Sequence, residues 1–128
     1  WYEAEEVTSM SVSSLNISAS ALHAFGTGMM TTANAIANVN TDGFLPQRTV
    51  YGEMRGGGVR VESVVQEGGQ PGRVQTAVER RAVTDAPSAT ELTREFPGMM
   101  TTQRAFEANA VAVRTADEMM GTLLDIRA

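Results

Sequence analysis

His23 is the only histidine in this chain of 128 residues, so a catalytic site that needs an imidazole base would have to be built around it. If the surrounding residues are helical, the hydroxyl groups of Ser18, Ser20 and Thr27 lie about one turn away. A nucleophilic triad would also need a carboxylate from elsewhere in the chain. A lone histidine on the flank of a helix is usually solvated or packed, so we predict that His23 is not catalytic.

Three carboxylates near the C-terminal end, Asp117, Glu118 and Asp125, have spacings that could share a cation. Arginines of the same segment stand beside them, so we interpret these carboxylates as ordinary surface charge. The glycines at 56–58 lack the Lys-Ser/Thr pair and the spacing of a phosphate loop, and predict a turn instead. The chain has no cysteine, which excludes thiolate metal sites and cysteine nucleophiles. We therefore predict a protein that is not an enzyme and binds no cofactor or metal.

The charge balance argues against a nucleic-acid partner. Ten basic residues, all of them arginine, face fifteen acidic ones, which gives a net charge of -5 and a pI near 4.8. Binding through phosphates needs a basic surface, and no run of arginines supplies one. No apolar stretch approaches the roughly 18 residues of a membrane span, and no basic segment precedes an apolar one as in a cleaved signal peptide. We expect neither membrane insertion nor signal cleavage.

Apolar residues recur every seven positions in the first third of the chain, which predicts an amphipathic helix over residues 14–40. Gly26 and Gly28 in its middle each cost about 1 kcal/mol relative to alanine, so the helix either bends there or closely approaches a neighbour. Residues 1–13 are predicted to form a flexible N-terminal segment. The predicted stripe contains Leu15, Leu22, Phe25, Met29 and Ile36.

The last third repeats the pattern and predicts a second amphipathic helix over residues 88–128. Ser88 and Glu91 match the capping box that begins many helices. Pro97 interrupts the stripe, which predicts either a separate turn before it or a kink at Phe96. The second stripe contains Leu92, Met99, Phe106, Val113, Met120 and Leu124.

Residues 41–87 are rich in glycine and predict a small β or extended insert. Val59, Val61 and Val65 alternate with polar residues, as a half-buried strand requires, and residues 73–81 could be its hairpin partner. The fold predicted is mainly α with a small β insert. The two terminal helices form one discontinuous helical domain, pairing as a coiled-coil-like hairpin around the insert.

The material for a core is thin, because only 5% of the residues are aromatic and much of the apolar share of 42% is alanine. Two helices with such stripes leave apolar surface exposed to water. We therefore predict an assembling protein whose stripes are covered by further helices, with copies of the same chain as the simplest source. The stripes can pair within one chain, or exchange between chains as a domain-swapped oligomer of the isolated protein.

The segment "ANAIANVNTDGF", residues 33–44, ends the first predicted helix. A helix end often needs a residue that tolerates the left-handed conformation, and Asn38 or Asn40 can take that place. Asp42 and Gly43 can make the turn that follows. Phe44 would then restart the chain in extended form over the helix end.

Two stretches resemble the rod and hook axial proteins of the bacterial flagellum. "ALHAFGTGMMTTANAIANVNTDGF" is similar to the N-terminal signature of that family, and "TREFPGMMTTQRAFEANAVAVRTADEMMGTLLDI" is similar to its closing helix. The short spacing between the two is most similar to the proximal-rod proteins. The family's turn motif falls on Asn38, Asn40, Thr41, Gly43 and Phe44.

The resemblance implies a structural subunit of the basal-body rod that assembles helically through its terminal helices. Its partners would be other rod and hook axial proteins and copies of itself. It would be exported through the flagellar type III apparatus without signal cleavage and reside in the rod that spans the periplasm. The alternative is a soluble helical binding module, an adaptor or export-chaperone-like protein, that holds a partner's helix.

Overall fold

The computed structural model describes residues 2–67 and 86–127, which form two long helices and a two-stranded sheet. The elements follow one another as α1 (Tyr2–Ala37), β1 (Gln47–Glu53), β2 (Val59–Gln66) and α2 (Leu92–Arg127). The helices pack antiparallel along their length, and both strands pack on α1. This confirms the predicted fold, a helical hairpin with a small β insert.

Helix α1 begins at Tyr2, so the backbone of residues 2–13 continues the helix that the sequence pattern placed at 14–40. The flexibility predicted for residues 1–13 stays a prediction. Between Glu6 and Asp42 the sequence contains no Asp, Glu, Lys or Arg. Even so, neither described helix has an apolar run long enough to cross a bilayer.

Helix α2 begins at Leu92, later than the capping box predicted. The hydroxyl of Ser88 accepts a hydrogen bond from the backbone N–H of Thr90 at 3.3 Å, so it makes a local turn instead of capping the helix. The predicted separate turn before Pro97 is also wrong, since α2 runs through that residue. Pro97 lies close to the N-terminus of α2, where one missing N–H removes little of a helix this long.

Strands β1 and β2 form an antiparallel hairpin, with Gln47 opposite Gln66 and Glu53 opposite Val59. The turn between them uses Gly56, Gly57 and Gly58, whose φ angles of 95°, 96° and 101° are rarely adopted by residues with a side chain. The predicted strand over β2 is confirmed, and its neighbour in the described sheet is the preceding strand, β1. The predicted partner, residues 73–81, lies outside the described residues.

The core is as thin as the composition predicted. Among the described side chains, the fully or nearly buried apolar ones are small: Ala21, Ala24 and Ala35 on α1, and Pro46 ahead of β1. Small residues let the hairpin approach α1 closely, but they bury little apolar area each. Most larger apolar side chains are left half-buried between the helices or exposed.

Candidate functional site

The predicted stripes form the seam between α1 and α2. Nine of their residues are half-buried, whereas Leu92 and Leu124 at the two ends of α2 are 37% and 71% exposed. Half-burial is what one helix facing a single partner produces, because each side chain is covered from one side only. The half-buried residues are Leu15, Leu22, Phe25, Met29, Ile36, Met99, Phe106, Val113 and Met120. Their predicted role in packing between subunits stays a prediction.

Small or polar residues alternate with the apolar ones along the α2 side of the seam. Thr102, Asn109 and Ala116 are half-buried like their apolar neighbours, and together the two sets give the 3-4 spacing of a heptad. The amide of Asn109 donates to the carbonyl of Ala105 at 2.8 Å, so its polar group is satisfied within the helix. The seam is therefore narrow and only partly apolar.

The two glycines of α1 lie at the seam, in different surroundings. A Cβ on Gly26 would lie 4.0 Å from the ring of Phe106, whereas a Cβ on Gly28 would collide with the hydroxyl of Tyr51 from β1. The Tyr51 hydroxyl also lies close to the side chain of Thr102 of α2. Of the two predicted alternatives, a bend or a close neighbour, Gly28 fits the second.

Tyr51 therefore touches both helices. Its ring meets the ring of Phe25 edge-on, with the centroids 5.6 Å apart, and burial raises the pKa of its hydroxyl. Aromatic pairs in this arrangement are each worth about 0.5–1.5 kcal/mol beyond their burial. Tyr51 fixes the hairpin against the helix pair, and its sequence position carried no signal of this role.

The turn motif after α1 differs in detail from the prediction. Neither Asn38 nor Asn40 is left-handed, since no described residue other than glycine has a positive φ; Gly43 takes that conformation, with φ of 73°. The Asn38 amide donates to the carbonyl of Asn34 at 2.9 Å, and the Thr41 hydroxyl donates to the side-chain oxygen of Asn38 at 3.1 Å. The Asn38 side chain thus links the last turn of α1 to the turn that follows it.

The turn motif also binds the residues that precede α2. The backbone N–H of Gly43 donates to the carbonyl of Ala86 at 2.5 Å, and the N–H of Ala89 donates to the carbonyl of Phe44 at 3.1 Å. These two bonds fix the residues before α2 against the residues after α1. Asn40 is exposed and makes no such contact among the described residues.

Four charged side chains form a second link, which we call the clamp: Arg48 of β1, Glu67 after β2, and Arg94 and Glu95 of α2. Glu67 accepts from Arg48 at 2.6 Å and from Arg94 at 2.6 Å, and Arg48 approaches the buried Glu95 at 3.5 Å. The hydrogen bond from Arg48 lowers the pKa of Glu67, and the same bond raises the pKa of Arg48. The clamp joins the open end of the hairpin to the first turn of α2.

Several large apolar side chains remain exposed outside the seam. Met30 of α1 is 75% exposed, and Phe96 and Met100 of α2 are 51% and 55% exposed. Gly28 lies beside Thr102, so Met30 and Met100 stand at the same height along the antiparallel pair. Exposed apolar residues of this size commonly mark contact surfaces.

The residues considered for chemistry are not brought together. His23 is exposed on α1, and Asp117, Glu118 and Asp125 are exposed on α2. Among the described residues, no three acidic or histidine side chains are close enough to hold a metal ion. An open groove of about 530 Å³ lies beside β1, but threonines and the clamp residues line much of it. The described residues therefore form surfaces on which helices and strands pack, and the groove beside β1 brings together no set of catalytic or metal-binding groups.

Two comparisons with known proteins each match part of the chain. Residues 88–126 match the family model described as the C-terminal region of the flagellar basal body rod FlgEFG proteins. A stretch of 40 residues is 45% identical to the flagellar hook protein FlgE of Caulobacter vibrioides, which is 31% of this chain and 7% of the hook protein. These matches confirm the resemblance to the flagellar rod and hook family.

Proposed function

We propose that this chain, whose last third carries the rod and hook C-terminal sequence, is a structural subunit of the flagellar axis. The more specific part of the proposal is that it belongs to the basal-body rod and assembles helically through α1 and α2. The observation that carries it is the match of residues 88–126, which covers almost all of α2, the helix that forms the seam with α1.

The incomplete burial of apolar side chains supports an assembling role. A helix pair with a core of alanines and one proline gains little from its own packing, and Met30, Phe96 and Met100 remain largely exposed. Covering these side chains with another subunit's helices would remove their apolar surface from water, at about 25 cal/mol per Å². The partners we propose are copies of this chain and sibling rod and hook proteins.

The absence of charge over most of α1, from Val7 onward, supports the same role. From Val7 to Thr41 the sequence holds no Asp, Glu, Lys or Arg, although many of these residues are exposed. Burying a charge without a partner is very unfavourable, whereas burying serine, alanine, methionine and threonine is tolerated when their hydroxyls are bonded. In α1 the hydroxyls of Ser20, Thr27 and Thr31 already donate to backbone carbonyls of the same helix.

The turn motif and the clamp would give such a subunit a fixed shape. The turn motif joins the end of α1 to the residues before α2, and the clamp joins the hairpin to the first turn of α2. The helices therefore keep one register when neighbours pack against them. The role needs no bond-making chemistry and no cofactor. Its place would be the rod that spans the periplasm, reached through the flagellar type III apparatus without signal cleavage.

The test is replacement of Phe96 by Asp in the organism that encodes the chain. Because Phe96 is 51% exposed, the variant should fold, while a carboxylate at a contact between subunits prevents docking. We expect loss of motility and absence of the variant from purified basal bodies. His23→Ala is the control and should leave both unchanged.

Normal motility together with absence of the wild-type chain from purified rods and hooks would overturn the proposal. Labelling of the wild-type chain in isolated hook–basal bodies separates the finer alternatives. Signal within the basal body supports the rod, and signal confined to the hook rejects that part only.

A further inference from the structure

We infer that the outward face of α2 pairs with the same face of a second copy of this chain. In this arrangement the two α2 helices run antiparallel around a two-fold axis that passes between Ala110 and Val111. The inference rests on the charges and exposure of α2 and does not depend on the proposed flagellar role.

The face lies away from the seam and from the hairpin. Arg104, Glu107, Val111, Arg114 and Glu118 follow one another at steps of three and four residues, which places them in one row along the helix. All five are exposed, and Val111 in the middle is 62% exposed. A large aliphatic side chain at this position, with charges on both sides, is the pattern of a small contact with an apolar centre.

The order of charges along this row is complementary to itself when reversed. Glu107 and Arg114 lie at equal distances on either side of the proposed axis. In an antiparallel pair, Glu107 of each copy therefore faces Arg114 of the other copy. Arg104 and Glu118 are centred on Val111, half a residue from that axis, so Arg104 comes within one residue of the level of Glu118 of the second chain. A two-fold pair therefore has four contacts between opposite charges, with the two Val111 side chains next to each other at the centre.

Within the part of the chain that the structure describes, the arginines of this row are not paired with carboxylates. Among the side chains that the structure describes, neither Arg104 nor Arg114 has a carboxylate within ion-pair distance, although helical neighbours three and four residues away offer several. Glu107 only accepts a hydrogen bond from the amide of Gln103 at 2.9 Å. The groups remain available to a partner.

A contact of this kind is isologous and closes at two copies. It differs from the head-to-tail contacts that a helical filament needs, so it describes a dimer of the free chain. Since the charges are exposed, the attraction weakens as salt screens it, and the dimer should dissociate more readily in 1 M than in 0.1 M salt.

The absence of native cysteine makes the proposal directly testable by cross-linking. Val111→Cys places a thiol beside its copy at the axis, and mild oxidation should convert most of the protein to a covalent dimer. The matched control is Ala112→Cys, which is also exposed but points about 100° away around the helix. Equal cross-linking of the two variants, or none by Val111→Cys, would overturn the proposal.

Charge reversal gives an independent readout by sedimentation equilibrium. Arg104→Glu brings like charges together twice per dimer and should raise the dimer Kd about tenfold or more. The double variant Arg104→Glu with Glu118→Arg restores opposite charges and should recover the wild-type Kd. A monomeric wild type, or a double variant as weak as the single one, rejects the dimer and leaves the flagellar proposal as it stands.

Discussion

Tyr51 is the residue at which the three parts of the molecule meet. Its ring contacts Phe25 of α1, its hydroxyl lies close to Thr102 of α2, and it occupies the space that a Cβ on Gly28 would need. A glycine in the middle of a helix is unfavourable by itself. Gly28 leaves the space that the tyrosine from β1 occupies, which explains one of the two glycines of α1.

Gly28→Ala and Gly26→Ala form a matched pair that tests this explanation. Gly28→Ala should lower the free energy of unfolding by about 1–3 kcal/mol, because the new methyl group displaces Tyr51 from both helices. Gly26→Ala meets only ordinary contact with Phe106, at 4.0 Å, and should raise it by about 0.5–1 kcal/mol. Urea denaturation measures both. If Gly28→Ala were the more stable variant, Tyr51 would not be fixed as described.

Glu67 gives the molecule a pH dependence of known sign. The pKa of Glu67 is lowered from 4.5 in the folded protein, chiefly by the hydrogen bond from Arg48, so folding favours the charged carboxylate. Its contribution to stability is present above pH 4.5 and is lost as the pH falls through the lowered value. Wild type should therefore lose more stability between pH 6 and pH 3 than Glu67→Gln does. Glu53→Gln, at a carboxylate without an ion pair among the described residues, should retain the wild-type slope.

At the scale of single residues, the sequence indicated where the chain turns but not which residue makes the turn possible. The prediction placed the left-handed conformation on Asn38 or Asn40, and the structure places it on Gly43. Asparagine and glycine both tolerate that conformation, so the pattern alone could not choose between them. The clamp was also missed, because ion pairs between distant segments depend on how the segments pack.

The helices are the elements that the sequence predicted best. A stripe at seven-residue spacing reflects a physical requirement, one face turned toward a partner helix, and nine of the eleven stripe residues are half-buried as that requires. The sequence predicted β2 from its alternating valines but did not single out β1, most of whose residues are polar or glycine. Register and partner depend on contacts that alternation does not encode.

Two phenylalanines of α2 should separate packing within the helix pair from packing between subunits. Phe106 is half-buried at the seam, so Phe106→Ala should lower the free energy of unfolding by about 1–3 kcal/mol. Phe96 is 51% exposed, and Phe96→Ala should change it by less than about 0.5 kcal/mol. Thermal unfolding of the isolated chain compares them directly. Equal losses would mean that the seam is not where the structure places it.

At the scale of the whole molecule, the order of elements and the helical hairpin followed from the sequence, but the extent of α1 did not. Residues 2–13 are acidic at first and lack a clear period, so only their continuity with the following helix made them helical. The assignment of packing residues to contacts between subunits goes beyond what one chain can reveal. A single copy shows which apolar side chains stay exposed.

The residues at 67 and 86 are both hydrogen-bonded to one short segment. The N–H of Glu67 donates to the carbonyl of Pro46 at 2.8 Å, and the carbonyl of Ala86 accepts from Gly43 at 2.5 Å. A flexible insertion of about 20 Gly and Ser residues directly after Glu67 leaves both of these bonds in place and should therefore lower the free energy of unfolding by only about 0.5–1 kcal/mol. The same insertion after Asn40 separates Thr41 from Asn38, breaks the hydrogen bond between their side chains and should prevent folding. Equal effects at both places would contradict this.

The polypeptide between residues 67 and 86 thus departs from and returns to a single anchor. Because both of its ends are held by residues 43–46, its length can change without moving either helix. A gene for such a protein can acquire or lose whole segments at this point, while the dimensions of the two-helix frame stay constant.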